Sequence, residues 1–126
     1  MKSKSIWLRD PEDHDFPAAQ DYLELHHTVE DAATIVEALK KAETTKKKAK
    51  DILRASRLPL LPKKNIHVKS NIRKVKRGEK LSPVLLSRGD ALLKGCSNDL
   101  LIADGYHRVC AIYYLSEDLE VPCRLV

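Results

Sequence analysis

The sequence predicts an α+β domain whose helices come first and whose small sheet lies near the C-terminus. Three observations carry that expectation. Apolar residues in the first part of the chain recur at helical spacing, as in Ala32, Ile35, Val36 and Leu39. From Leu81 the pattern changes to the short apolar runs "LSPVLLS", "LLIA" and "EVPCRLV". Between the last two runs lies "DGYHRVCAIYYL", in which a strand gives way to a helix. At 126 residues the chain is one domain, or one domain with a helical extension.

The elements follow in order. "DPEDHDFPAA" is polar and bounded by prolines. Pro17 suits a first helical turn and Asp15 a cap, so a helix is expected over about 17–26, with Ala18, Tyr22 and Leu25 as its apolar positions. Thr28, with Asp31 three residues on, marks a second helix start, and Ala32, Ile35, Val36 and Leu39 give it one buried face. A third helix is expected from Thr44 or Thr45, with Ala49, Ile52, Leu53 and Ser56 on one face and lysines elsewhere. Pro59 and Pro62 then favour an extended segment, held to the core by Leu58, Leu60 and Leu61. Val68, Ile72 and Val75 mark a fourth helix that Gly78 stops. Pro83 places the first apolar run at a strand start or a sheet edge. "RGDALLKGCSND" suits a hairpin, with Ala91 to Leu93 a brief strand. A strand at 100–103, a helix over about 105–115 and a closing strand complete the chain.

Composition narrows the function classes. No apolar run approaches the ~18 residues of a membrane span, and the N-terminal stretch has no apolar signal region. A cytoplasmic protein without membrane contact is expected. Cys96, Cys110 and Cys123 are odd in number and widely spaced, so neither a disulfide framework nor a zinc site is expected. His14 and the adjacent His26 and His27 are also read as non-ligating, because neighbouring helical histidines point apart. Trp7 is expected to anchor packing.

Charge is unevenly divided. Residues 40–80 hold 16 of the 23 Lys and Arg and only three acids, so the segment carries +13 and the rest of the chain −8. Residues 10–39 contain nine acids and no base. One reading is a phosphate-bearing partner: nucleotide, DNA or RNA. Lys46, Lys47, Lys48, Lys50 and Arg54, with Arg73, Lys74 and Arg77, would then follow a phosphate backbone. The segment has no aromatic residue, so binding would be sequence-tolerant. The other reading is mutual neutralisation, either within the fold or between the subunits of a homodimer, as a non-catalytic interaction module.

The chemistry concentrates at Asp104-Gly105-Tyr106-His107-Arg108. A helix N-terminus offers unpaired N–H groups and the positive end of the helix dipole. A glycine lets an anion approach the backbone, and an arginine adds a planar fork suited to phosphate oxygens. His107 suits phosphate donation or acid–base work near neutral pH. Asp104 suits helix capping, holding Arg108 or His107, or binding Mg²⁺. The competing reading is an ordinary Asp-Gly turn with an Asp cap and Tyr106 as core packing.

This stretch resembles the "DGxHR" phosphate-binding motif of the ParB/sulfiredoxin superfamily, with Ala111 at the small position of the following helix. The likeness extends over roughly residues 52–126, through "SRLPLLPKKN", "LSPVLLS", "DLLIA" and "VPCRLV". It implies an N-terminal helical extension over 1–50 packed on a ParB-like domain over 51–126, with a small mixed sheet and packed helices. It further implies a nucleoside triphosphate with Mg²⁺ as ligand, and Gly105, Tyr106, His107 and Arg108 at its phosphates. Hydrolysis or transfer of a nucleotide phosphate would follow, with Asp104 and His107 as the catalytic candidates. The reactive cysteine of sulfiredoxin corresponds to Tyr106 here, so reductase chemistry is not implied. The chromosome-partitioning members carry a Glu-Arg-Arg character and a following DNA-reading helix-turn-helix, and neither is expected here.

Overall fold

The computed structural model describes residues 6–89 and 99–126. Its elements are α1 (Asp15–Leu23), α2 (Val29–Lys41), β1 (Thr45–Lys48), α3 (Ala49–Ser56), α4 (Ile66–Lys76), β2 (Val84–Arg88), β3 (Leu100–Asp104), α5 (Tyr106–Leu115) and β4 (Glu120–Leu125). The four strands form one mixed sheet in the order β1-β4-β2-β3. β4 runs antiparallel to β1 and parallel to β2, while β2 and β3 are antiparallel. Thr45 lies opposite Cys123, Val84 opposite the same residue on the other side, and Leu86 opposite Ile102. The brief strand expected at Ala91–Leu93 lies outside the described residues.

Strand alternation sorts the sheet's side chains between two cores. Val84, Leu86, Ile102, Val121 and Cys123 join Ile52, Leu53, Val68, Val109 and Ile112, so α3, α4 and α5 cover one face. Leu85 and Ala103 join Ala19, Leu23, Ile35, Val36 and Leu39, so α1 and α2 cover the other. The result is three layers with the sheet in the middle. Trp7 sits in the first core, and its neighbours tie residues 6–8 to Leu81 through Leu8 N–H to Leu81 C=O at 2.7 Å and Leu81 N–H to Ile6 C=O at 2.9 Å.

Local chemistry explains the helix ends. Thr28 Oγ1 accepts the Asp31 N–H at 3.1 Å, and the buried face of α2 is the expected Ala32, Ile35, Val36 and Leu39. Asn65 Oδ1 accepts the N–H groups of His67 (3.0 Å) and Val68 (3.2 Å) to start α4. At its end Gly78 adopts φ +80°, Glu79 N–H reaches Lys74 C=O at 2.9 Å and Gly78 N–H reaches Val75 C=O at 3.0 Å. That is a Schellman closure, which needs a left-handed residue where the glycine stands. Arg124 points from β4 toward the second core and donates to the last carbonyls of α2, Lys40 at 2.9 Å and Leu39 at 3.3 Å. A cation there satisfies orphan carbonyls and complements the helix dipole.

Two expectations are corrected. The first helix runs over Asp15–Leu23 and buries Asp15, Ala19 and Leu23, while Ala18 is exposed and Leu25 is 80% exposed beyond the helix end. Asp15 is not the cap: it lies inside the first turn, and its Oδ2 accepts the Glu12 N–H at 2.9 Å. The third helix does not begin at Thr44 or Thr45. Thr45–Lys48 is an edge strand, and α3 starts at Ala49, whose N–H bonds Leu119 C=O at 3.0 Å. All four residues of β1 are exposed, so the strand has no apolar alternation to announce it. Lysines on an edge strand also discourage further strands from pairing. Residues 1–50 therefore contribute a strand of the sheet as well as two helices.

Asn65→Ala removes an acceptor that serves two N–H groups. It should cost about 1 kcal/mol, read as a lower urea midpoint with an unchanged denaturant slope.

Candidate functional site

The site forms where β3 ends. Asp104 is the last strand residue, Gly105 is the N-cap of α5 at φ +108°, and Val109 N–H to Gly105 C=O at 3.0 Å closes the first helical turn. Glycine is required twice over. The backbone is left-handed, and a Cβ would stand 2.4 Å from Val84 Cγ1 and 2.8 Å from Arg108 Nη2.

Arg108 folds back beneath this turn. Its Nη2 donates to Asp104 Oδ2 at 2.7 Å, its Nη1 donates to Ser82 Oγ, and Asp15 Oδ1 lies 3.6 Å from Nη1. The side chain is 13% exposed, and its Nε is buried without a hydrogen-bond partner among the described residues. One guanidinium thus joins the end of β3, the residue before Pro83 and the first turn of α1. Burial raises the Asp104 carboxyl to about 6; Arg108 opposes that rise and Asp15 adds to it.

The opposite wall is α4. His67, Ser70, Asn71 and Lys74 are spaced i, i+3, i+4 and i+7, so one polar stripe of the helix faces the turn. With His14, Asp15, Asp104, Gly105, His107 and Arg108 they line a cleft of about 300 Å³. The His107 ring lies 4.8 Å from that of His67. Burial, and then His67, hold His107 below its ordinary value, so the ring is neutral at pH 7. A neutral imidazole both donates and accepts hydrogen bonds.

Of the residues the sequence singled out, Asp104, Gly105, His107, Arg108 and Lys74 come together here. Tyr106 turns away. Its hydroxyl donates to Pro59 C=O, as Tyr114 Oη does to Leu61 C=O at 2.7 Å, so the two tyrosines staple the Pro59–Pro62 segment to α5. Burial raises the Tyr106 hydroxyl above its usual value. The other basic candidates are dispersed. Lys46, Lys47 and Lys48 lie on β1; Lys50 pairs with Asp118 at 2.7 Å, Arg54 with Asp51 at 3.1 Å and Arg77 with Glu79 at 3.6 Å. Arg73 faces another groove. Cys110 and Cys123 are free and buried, and burial pushes the Cys123 thiol to about 11, which suits packing and not reactivity.

Sequence reasoning missed Asp15, Ser82, His67, Ser70 and Asn71. The polar i, i+3, i+4, i+7 stripe from His67 to Lys74 was a legible signal for a non-core helix face. Nothing local marks Asp15 or Ser82, which reach the site only through the packing of α1 and the start of β2. Among the described residues no group of three or more His, Cys, Asp or Glu side chains is placed to hold a metal ion. No helix among them is long and apolar enough to cross a membrane.

Arg108→Ala would leave Asp15 and Asp104 buried against each other. It should cost about 3–5 kcal/mol, measured by urea unfolding, and Arg108→Ala combined with Asp15→Asn should recover part of the loss. Asp104 also sets a pH dependence. Its folded value of about 6 lies above its ordinary 3.8, so between these the folded chain holds a proton that the unfolded chain releases. The contribution of Asp104 therefore lowers stability as pH rises through that window. Asp104→Asn should flatten this part of a stability–pH profile.

No family model, no curated protein and no solved structure matches this chain.

Proposed function

We propose that the cleft at the N-terminus of α5 binds the phosphates of a nucleotide, in the manner of a ParB-like domain. The observation that supports this reading is the meeting of a left-handed glycine at a helix start with Lys74, Ser70 and Asn71 on the facing helix. The first-turn N–H groups and the helix dipole attract an anion. Lys74 adds a charge that is unpaired among the described residues. The mixed sheet with packed helices is compatible with the ParB/sulfiredoxin resemblance of the Asp104–Arg108 stretch.

In this reading Arg108 positions the turn, because Asp104 and Asp15 already hold its guanidinium and more than offset its charge. Lys74, His107 and the backbone N–H groups take the phosphate oxygens. Mg²⁺ would arrive on the nucleotide, since that ion is commonly held by one or two carboxylates and substrate phosphates. Asp104 is already engaged by Arg108, so the phosphates carry the ion. Hydrolysis or transfer would rest on positioning and electrostatics, with Asp104 and neutral His107 as the groups able to hold a proton.

The test is calorimetric titration with ATP, CTP, GTP and UTP, each with Mg²⁺, on wild type, Lys74→Ala and His107→Ala. Wild type should bind at least one nucleotide, and Lys74→Ala should weaken it roughly tenfold or more, a loss of ~1.4 kcal/mol. Affinity should rise as pH falls through about 6, because protonating Asp104 removes a negative charge from the cleft. Failure of all four nucleotides to bind, or affinity indifferent to Lys74, would sink the reading.

A further inference from the structure

Residues 40–80 hold 16 cations, of which two sets stand out. Lys40, Lys48, Lys50, Arg54, Arg57 and Arg77 have acids within 4.0 Å. Lys63, Lys64, Lys69, Arg73 and Lys76 have no acid partner among the described residues, and these five converge. Together with Ile72 they line a groove of about 430 Å³ whose lining includes no acid. Lys69, Ile72, Arg73 and Lys76 are spaced i, i+3, i+4 and i+7 on α4, a stripe next to the one that faces the cleft.

The groove's other wall is held in place. Asn65 N–H bonds Pro62 C=O at 3.0 Å, Asn65 caps α4, and Lys63 Nζ lies 5.7 Å from the centroid of the Tyr114 ring. Tyr114 in turn holds Leu61 C=O. The lysines of this turn therefore spring from a backbone tied to both α4 and α5. Five like charges in one groove repel one another, and a partner with repeated negative charge relieves that repulsion. Four of the five are lysines, which meet phosphates as point charges, and Arg73 adds a fork that suits phosphate oxygens. One apolar side chain, Ile72, gives little to insert into a bilayer.

We propose that this groove, formed by the Lys63–Lys64 turn and α4, binds the phosphate backbone of a nucleic acid. No aromatic side chain lines it, so contact is restricted to phosphates and is sequence-tolerant. The inference is independent of the nucleotide reading, because the groove and the cleft occupy different stripes of α4 and share no lining residue.

The experiment is fluorescence anisotropy with a short labelled DNA duplex of mixed sequence, titrated at several salt concentrations. Three proteins are compared: wild type, Lys69→Ala/Arg73→Ala/Lys76→Ala, and Lys46→Ala/Lys47→Ala/Lys48→Ala on β1. Wild-type affinity should fall steeply with salt. The α4 variant should bind at least tenfold more weakly and lose about three units of the log–log salt slope, roughly one per phosphate contact. The β1 variant should bind like wild type. Thermal melts establish that both variants fold, since all six side chains are exposed. The proposal is overturned by no binding at low salt, by an unchanged slope in the α4 variant, or by an equal loss in the β1 variant. Displacement of the duplex by poly-glutamate at matched charge would also overturn it, and would make the groove a surface for acidic proteins. Nucleotide titration of the α4 variant separates the two sites: a lost duplex with an intact cleft is the expected pairing.

Discussion

The ion network around Arg108 is the constraint on which this site depends. A guanidinium that is nearly buried must find acceptors, and here they come from three separate places: Asp104 at the end of β3, Ser82 before β2 and Asp15 in α1. The partners fix where the guanidinium sits, and the guanidinium fixes what can stand above it. Gly105 is glycine because Val84 and Arg108 occupy the space of any Cβ. The geometry of the α5 N-terminus is thus set by a charge beneath it. Such networks seldom add much net stability over an apolar core, but removing one member leaves buried charge uncompensated. Their effect is to define one arrangement.

That arrangement changes the electrostatic meaning of the turn. An arginine beside a helix start suggests a free phosphate fork. With two carboxylates against it, the charge of Arg108 is more than offset, and Lys74 on α4 is the cation left to meet an anion. Phosphate binding, on the proposed reading, therefore depends on how α4 packs against α5. The cleft also contains two groups that burial shifts, Asp104 raised to about 6 and His107 lowered from its ordinary value.

The acidic and basic parts of the chain meet sparingly. Among the described residues, Arg108 with Asp15 and Arg124 with Asp10 are ion pairs that join the acidic N-terminal stretch to bases of the C-terminal half. Basic residues of the middle segment instead pair locally, as Arg54 does with Asp51, pair with acids of the C-terminal half, as Lys50 does with Asp118, or carry no acid partner among the described residues, as along α4. The layers explain this. α1 and α2 cover one face of the sheet while α3 and α4 lie on the other, so the sheet separates much of the two charge blocks, which share a lining at the cleft of Asp15 and Lys74.

The sequence by itself determined the elements that repeat a local signal. Thr28 starts a helix because its side chain reaches an N–H group three residues on. Gly78 ends one because only a left-handed residue closes it, and β2, β3 and β4 follow short apolar runs. The turn from Asp104 to Arg108 was legible as a strand-to-helix junction with charged residues; the need for glycine there comes from Val84 and Arg108. Tertiary structure alone decided the rest. β1 is a strand because β4 offers it hydrogen bonds, although Thr45–Lys48 has no apolar alternation. The first helix buries Ala19 and Leu23 because the sheet's second face lies there, a surface that exists only once distant strands have paired. Asp15 and Ser82 become site residues through contacts 93 and 26 positions away in the chain, Asp15 to Arg108 and Ser82 to Arg108. Sequence pattern records what neighbours do to one another; the choice of partners across the chain belongs to the packed fold.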